Sequence, residues 1–134
     1  MRPTYNLTLN SLPKKAAEIS KILKGGEVLA LFGNLGAGKT TFTQYLAKHL
    51  GIKVRVTSPT FVLMNAFPAK LPKSKKNIIL LHLDLYRIKN FKEAKALGLT
   101  EMWQRPDTVT VIEWADKIEK HLPPKTWKLK FNHE

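Results

Sequence analysis

The 134-residue sequence contains no cysteine. Disulfide scaffolds, thiol nucleophiles and cysteine-ligated zinc are therefore excluded. Its four histidines are scattered and form no HxxxH pair, so the sequence does not suggest a metal site built from histidines. If the protein holds a metal, we expect the ligands to be oxygen atoms.

Long apolar runs are also missing. No stretch approaches the roughly 20 consecutive apolar residues of a transmembrane helix, and residues 1–10 lack the apolar core of a secretory signal. We therefore expect a cytoplasmic protein that does not bind membranes. The length and the 43% of hydrophobic residues are typical of one folded domain, which we predict to cover residues 1–134.

Acidic residues are scarce. Only 10 Asp and Glu accompany 23 Lys and Arg, which gives a formal net charge of +13. Such a surface attracts polyanions within a Debye length of about 8 Å. Two interpretations stay open at this point: the lysines only solvate the surface, or they contact RNA or a nucleotide substrate.

The apolar pattern alternates between strands and helices, and we predict an α/β fold. The predicted strands are Tyr5–Leu9, Glu27–Phe32, Val54–Val56, Phe61–Ala66, Ile78–Leu83, Val109–Ile112 and Trp127–Phe131. The predicted helices are one from the Ser11 cap to Gly25, Thr40–Leu50, Lys92–Leu97 and Asp116–His121, with a turn at Thr100–Trp103. Pro68–Lys76 is rich in proline and lysine, which predicts a solvated connection.

A glycine-rich loop is the strongest motif of the chain. Gly33–Thr40 (GNLGAGKT) matches GxxxxGK[ST], between a predicted strand and a predicted helix. Its backbone N–H groups and the helix N-terminus form a cradle for phosphate. Lys39 would reach the outer phosphates, and the Thr40 hydroxyl would join the oxygen shell of Mg²⁺. The predicted cofactor-binding residues of this segment are Gly33, Asn34, Leu35, Gly36, Ala37, Gly38, Lys39, Thr40 and Thr41. For Thr41, the alternative is that it only begins the helix.

Two acidic residues follow predicted strands directly. Asp84 comes after Ile78–Leu83, and Glu113 comes after Val109–Ile112. Ligands of open parallel sheets lie beyond the carboxyl ends of the strands, so both carboxylates are candidates to face Lys39 and Mg²⁺. The alternative for each is an exposed acid that caps the next helix.

Two further features have a functional and a structural interpretation. Trp114, beside Glu113, either stacks on a base or a partner, or it packs in the core. Thr57–Thr60 either forms a switch whose hydroxyl senses the terminal phosphate, or it is a turn stiffened by Pro59.

Four motifs together resemble a known family. They are Gly33–Phe42, Ser58–Phe61 (SPTF), His82–Arg87 (HLDLYR) and Glu113-Trp114, in that order. The chain resembles the TsaE family from about Ser11 to Pro124. The resemblance implies a P-loop NTPase-like three-layer sandwich with a mixed, mostly parallel central sheet flanked by helices. It also implies a small ATPase that binds ATP and Mg²⁺ and assists the TsaD and TsaB proteins in making threonylcarbamoyladenosine in tRNA. TsaD would perform the transfer, and tRNA would be reached through the complex.

The resemblance also implies roles for individual residues. Lys39 and Thr40 would bind phosphate and Mg²⁺, Glu113 would be the second protein ligand of the metal, and Asp84 would support hydrolysis. Thr60 would act near the terminal phosphate, within the mobile segment 58–60.

The same resemblance places Trp114 near the nucleotide or a partner. Asn34 departs from the family pattern, in which many members carry Asp at this position. Because the backbone of the loop binds the phosphate, we expect little change from this departure.

Two other functions compete with this interpretation. A small nucleoside or nucleotide kinase shares the loop, but it needs an acceptor pocket and an arginine-bearing lid, and 134 residues leave little room for a lid. A basic RNA-binding module would use Lys70–Lys76, although no aromatic sheet motif or GxxG clamp supports it. No arginine stands out as an internal arginine finger, so we expect hydrolysis to be weak until partners complete the site.

Overall fold

The computed structural model describes residues 4–33, 36–56 and 64–132. Within these residues six strands form one sheet in the order β1-β6-β2-β5-β4-β3. The strands are β1 (Thr4–Leu7), β2 (Val28–Phe32), β3 (Met64–Lys70), β4 (Asn77–Asp84), β5 (Thr108–Glu113) and β6 (Trp127–Phe131). The helices are α1 (Leu12–Ile22), α2 (Gly36–His49), α3 (Phe91–Ala96) and α4 (Leu99–Met102), with 3₁₀ segments at Leu9–Ser11 and Ala115–His121.

The pairing of the strands confirms the predicted fold class. All neighbouring strands are parallel except β3 and β4, which form an antiparallel hairpin. The sheet is therefore mixed and mostly parallel, as expected. Parallel strands need helical crossovers on the faces of the sheet, which explains the alternation of strand and helix in the sequence.

The two faces of the sheet are covered by different helices. Along β2, Leu29 and Leu31 pack into a buried cluster that also contains residues of α1 and α2. Val28 and Ala30 point the other way, into a cluster with residues of α3, α4 and the 3₁₀ segment Ala115–His121. A strand buried on both faces must be apolar at every position, which accounts for the continuous apolar run in this part of the sequence.

The β3–β4 hairpin differs from the prediction. Pro68, expected in a solvated connection, lies inside β3 and pairs with Ile79, so that the connection shortens to residues 71–76. Proline is tolerated there because β3 is the edge strand of the described sheet, so that no second strand of the described residues requires the N–H that Pro68 lacks. Of the predicted strand Phe61–Ala66, residues 61–63 lie outside the described residues.

Three other predicted elements also differ from the structure. Val54–Val56 forms no strand, and α2 begins at Gly36 instead of Thr40. The predicted helix Asp116–His121 is a 3₁₀ segment with a kink at Ile118. No helix in the described part of the chain is both long and apolar enough to cross a bilayer.

Candidate nucleotide-binding site

The glycine-rich loop joins the carboxyl end of β2 to the N-terminus of α2. Gly33 follows β2 with a φ of +121°, and a Cβ at this position would lie 2.5 Å from the Phe131 carbonyl oxygen. Only glycine fits this backbone without a shift of β6. Since α2 begins at Gly36, its first N–H groups have no partner within the helix, and its positive dipole end follows the loop, the arrangement that binds phosphate.

The Lys39 side chain is folded into the site. It is only 1% exposed, its Nζ donates to the Gly33 carbonyl oxygen at 2.6 Å, and the same atom lies 4.0 Å from the centre of the Trp114 ring. Thr43, one turn further along α2, donates its hydroxyl to the Lys39 carbonyl at 3.0 Å. The ammonium is thus held at the mouth of the loop by a carbonyl dipole and an aromatic face.

Burial lowers the pKa of the Lys39 ammonium, and the carboxylates of Glu113, Asp116 and Asp84 oppose that shift. Within the described residues, the charged groups that act on Lys39 are therefore acidic. They partly offset the desolvation that disfavours the charged form of the amine.

Thr40, Glu113 and His82 form a chain of contacts. The Thr40 hydroxyl donates to Glu113 at 3.2 Å from Oε1 and 3.3 Å from Oε2, and His82 Nε2 lies 2.5 Å from Oε2. Glu113 is 2% exposed and His82 is fully buried. Within the described residues, His82 Nδ1 has no hydrogen-bond partner. The Glu113 carboxylate is therefore fixed from two sides with little access to water.

Asp84 lies next to Glu113 at the end of the neighbouring strand, and the two residues are register partners of β4 and β5. Its Oδ1 accepts the Tyr86 N–H at 2.9 Å. Burial raises the pKa of Asp84, the Tyr86 N–H opposes this rise, and the Glu113 charge adds to it. A carboxyl with a raised pKa next to Glu113 and Lys39 is a candidate for chemistry at the site.

Trp114 directly precedes the 3₁₀ segment Ala115–His121 and has a left-handed backbone, φ 60°. Its half-buried ring lies between Lys39 and Tyr86, with a centre-to-centre distance of 5.1 Å to the Tyr86 ring. Lys117 donates to the carbonyl oxygens of Tyr86 and Ile88, which ties the segment after β4 to the segment after β5. Trp114 therefore borders the site as well as the core.

The structure brings five predicted site residues together at the carboxyl ends of β2, β4 and β5: Lys39, Thr40, Asp84, Glu113 and Trp114. Gly36, Ala37, Gly38 and Thr41 lie in the first two turns of α2. Asn34, Leu35 and the segment Thr57–Thr60, with the predicted catalytic Thr60, lie outside the described residues. The roles assigned to all of these residues stay predictions.

Sequence reasoning assigned no role to His82. Residues two apart on a strand share one face, so the pattern His82-x-Asp84 already places the imidazole and the carboxylate on the same side of β4. That signal was present in the sequence. The sequence did not show which residue the His82 ring contacts, because the register between β4 and β5 brings Glu113 to the ring.

The oxygen atoms of the site suit a hard cation. Among the described residues no group of three or more His, Asp or Glu side chains is arranged to hold a metal ion. Mg²⁺ does not need such a group, since it keeps several waters and uses one or two protein oxygens with phosphate oxygens. The Thr40 hydroxyl and the Glu113 carboxylate, in mutual contact, are such a pair.

Comparison with known proteins identifies the family of the chain. A family model described as "Threonylcarbamoyl adenosine biosynthesis protein TsaE" matches residues 8–134. The chain belongs to the TsaE family. It is 40% identical over 106 residues to a TsaE protein of Aquifex aeolicus, covering 78% of this chain and 69% of that protein. A TsaE protein of Bacillus subtilis is 40% identical over 116 residues, covering 83% of this chain and 67% of that protein.

A solved structure is also similar. The crystal structure of YdiB from Bacillus subtilis matches with a TM-score of 0.60 and 32% identity, covering 87% of this chain and 66% of that chain. The chain thus spans about two thirds of the length of its TsaE relatives. These similarities do not favour the alternative of a small kinase.

The contact between His82 and Glu113 predicts a stability effect. His82→Leu should lower the free energy of unfolding by about 2 to 4 kcal/mol, because it leaves a buried carboxylate without one of its partners. Urea denaturation without ligand measures this. Thr110→Val is a matched control on the adjacent strand: its buried hydroxyl has no partner within the described residues, so its removal should be neutral or stabilising. Equal stability of His82→Leu and wild type would contradict the prediction.

The raised pKa of Asp84 predicts a pH effect of known sign. Between the ordinary value near 3.8 and the raised value, the folded state binds more protons than the unfolded state, so wild type loses stability as pH rises. Asp84→Asn removes this titration and keeps an oxygen for the Tyr86 N–H. We expect its stability relative to wild type to grow with pH through that window. Urea unfolding at several pH values measures the difference, and a relative loss of stability with rising pH would contradict it.

Proposed function

We propose that the chain binds ATP and Mg²⁺ in the cytoplasm and hydrolyses ATP as an accessory subunit for the synthesis of threonylcarbamoyladenosine in tRNA, in support of TsaD and TsaB. The observation that carries the nucleotide part is the convergence of Lys39, Thr40, Asp84 and Glu113 at the N-terminus of α2. The role in tRNA modification rests on family membership and on the names of the relatives.

The loop and Lys39 would bind the phosphates. Glycine at position 33 allows the positive φ that follows β2, and the N–H groups at the start of α2 would receive the phosphate oxygens. Lys39 now donates to a neutral carbonyl, and a phosphate would offer the ammonium a charged acceptor instead. Such an acceptor also offsets the burial that lowers the pKa of Lys39.

Thr40 and Glu113 would hold the metal. Bound Mg²⁺ supplies positive charge that neutralises the phosphate oxygens. His82 would keep the Glu113 carboxylate in one orientation, since it contacts Oε2 from β4 while the Thr40 hydroxyl contacts the same carboxylate from α2.

Asp84 and Trp114 would act on either side of this centre. The Asp84 carboxyl would order the attacking water or the waters of the metal. The Trp114 ring lies 4.0 Å from Lys39 Nζ, so we assign it to the phosphate end of the nucleotide and not to the base.

The dependence on partners follows from charge. In the described residues, the charged groups that act on Lys39 are three carboxylates, and none of them can stabilise the negative charge of a phosphoryl-transfer transition state. We therefore propose that a partner completes the site.

Replacing Lys39 by Ala should abolish ATP binding, or weaken it at least about a hundredfold. The variant lacks the charged hydrogen bond to phosphate, which in wild type forms at a buried place with little water. Titration with a fluorescent ATP analogue in the presence of Mg²⁺ measures this, with thermal unfolding to confirm the fold. Lys48→Ala removes an exposed lysine from the last turn of the same helix and should bind as wild type does. Unchanged affinity in Lys39→Ala would overturn the assignment of the site.

Phosphate release should be slow for the chain alone and at least about tenfold faster with TsaD, TsaB and tRNA, because partners supply the missing positive charge or positioning. Lys39→Ala with the same partners is the control and should stay at background. Full turnover by the isolated chain would contradict the proposed dependence while leaving nucleotide binding intact.

A further inference from the structure

A second concave surface lies at the opposite end of the sheet from the glycine-rich loop. It is formed by the end of α1, the loop before β2, the β3–β4 turn and the start of β6, and we call it the amino-end groove. Glu27 precedes β2 and Gly33 follows it. Six residue steps of about 3.3 Å therefore place the groove about 20 Å from the nucleotide site.

The groove consists of two adjoining cavities. The larger has a volume of about 740 Å³, the smaller about 280 Å³, and both are lined by Glu27 and Trp127. Leu23, Leu71 and Trp127 give the larger cavity an apolar floor. Both cavities are open to solvent, so that they form an open groove and not an enclosed pocket.

Positive charge lines both cavities. The lining lysines are Lys21, Lys24, Lys73, Lys76 and Lys125. Glu27 is the acidic residue among the lining residues, and its two oxygens already accept the backbone N–H groups of Lys24 and Gly25 at 2.8 Å each. Among the described residues, Lys21, Lys24 and Lys73 take part in no ion pair. Their charges are therefore available to a ligand.

Contacts between the loops around the groove fix their relative positions. Lys76 Nζ donates to the carbonyl oxygens of Lys24 at 3.3 Å and Pro106 at 3.1 Å, which ties the β3–β4 turn to the loops before β2 and β5. Gly25 has a φ of +101°, and a Cβ there would collide with the Pro106 carbonyl oxygen. The lysines thus project from a fixed frame.

We propose that the amino-end groove binds an RNA strand through its phosphodiester backbone. Lysines along the rims would contact successive phosphates, and the apolar floor would contact sugar or base faces. A planar lipid surface would reach the rims but not a concave floor, which makes RNA the better match. This inference goes beyond the proposed nucleotide chemistry and does not depend on it, because the two sites lie at opposite ends of the sheet.

The test compares two triple variants with the same net charge. Lys21→Gln/Lys24→Gln/Lys73→Gln removes three groove charges, and Lys76 and Lys125 are left in place because they donate to backbone carbonyls. Lys92→Gln/Lys95→Gln/Lys120→Gln removes three exposed charges from the helical layer that packs on the other face of the sheet from α1. Affinity for a labelled tRNA is measured by fluorescence anisotropy without nucleotide, between about 50 and 200 mM salt.

The groove triple should bind tRNA at least about tenfold more weakly. Its plot of log affinity against log salt should be shallower by about 2, roughly 0.7 for each phosphate that the three lysines no longer neutralise. The control triple should bind as wild type does. Equal weakening in both triples would show that only net charge matters and would overturn the proposal, and so would unchanged affinity in both.

Two further measurements separate RNA binding by the groove from lipid binding and from damage to the fold. Vesicles containing phosphatidylglycerol replace tRNA in a parallel titration; if the groove triple loses affinity for vesicles and not for tRNA, the assignment to RNA is wrong. ATP binding by the groove triple should equal that of wild type, which shows that the fold and the nucleotide site are intact. Failure of Lys39→Ala to affect ATP binding would leave the groove result unchanged, so the two proposals fail separately.

Discussion

A carboxylate that has almost no contact with water organises the candidate site. Glu113 is 2% exposed, and burial of a charge is costly unless hydrogen bonds replace those to water. His82 and Thr40 supply those bonds. These interactions come from β4 and α2, so the requirement to satisfy one carboxylate fixes how the helix after the loop sits against two strands. Lys39 depends on the same arrangement, because it directly precedes Thr40 in α2 and its position is fixed together with that of Thr40.

Much of this architecture follows from the sequence. The GxxxxGK[ST] pattern between an apolar run and a helical pattern predicted the loop, and acids directly after apolar runs predicted that Asp84 and Glu113 would face Lys39. Both inferences use spacing along the chain and a general property of parallel sheets. Neither inference therefore required the order of the strands in the sheet. The structure brings the predicted residues together at the carboxyl ends of the strands.

Other features depend on interactions that a linear pattern does not contain. The ring of His82 meets Glu113 because of the register between β4 and β5, and a shift by one residue would turn it to the other face of the sheet. Pro68 looked like a break, yet it lies within a strand because that strand is at the edge. Whether Trp114 belongs to the core or the site was open in the sequence, and the structure answers it with a ring 4.0 Å from Lys39 Nζ, on a residue whose left-handed backbone no linear pattern indicates.

The site is built at a cost to the fold. Burial lowers the pKa of Lys39 and raises the pKa of Asp84, so both charged forms are less stable here than in water. His82 also keeps a buried nitrogen without a partner in the described part of the chain. Evolution retains such groups where a ligand offsets the cost, and phosphate oxygens with a divalent cation would offset the two pKa shifts at once: the anion favours the ammonium and the cation favours the carboxylate. The amino-end groove has the opposite character, since its lysines are near solvent and need no ligand to be stable.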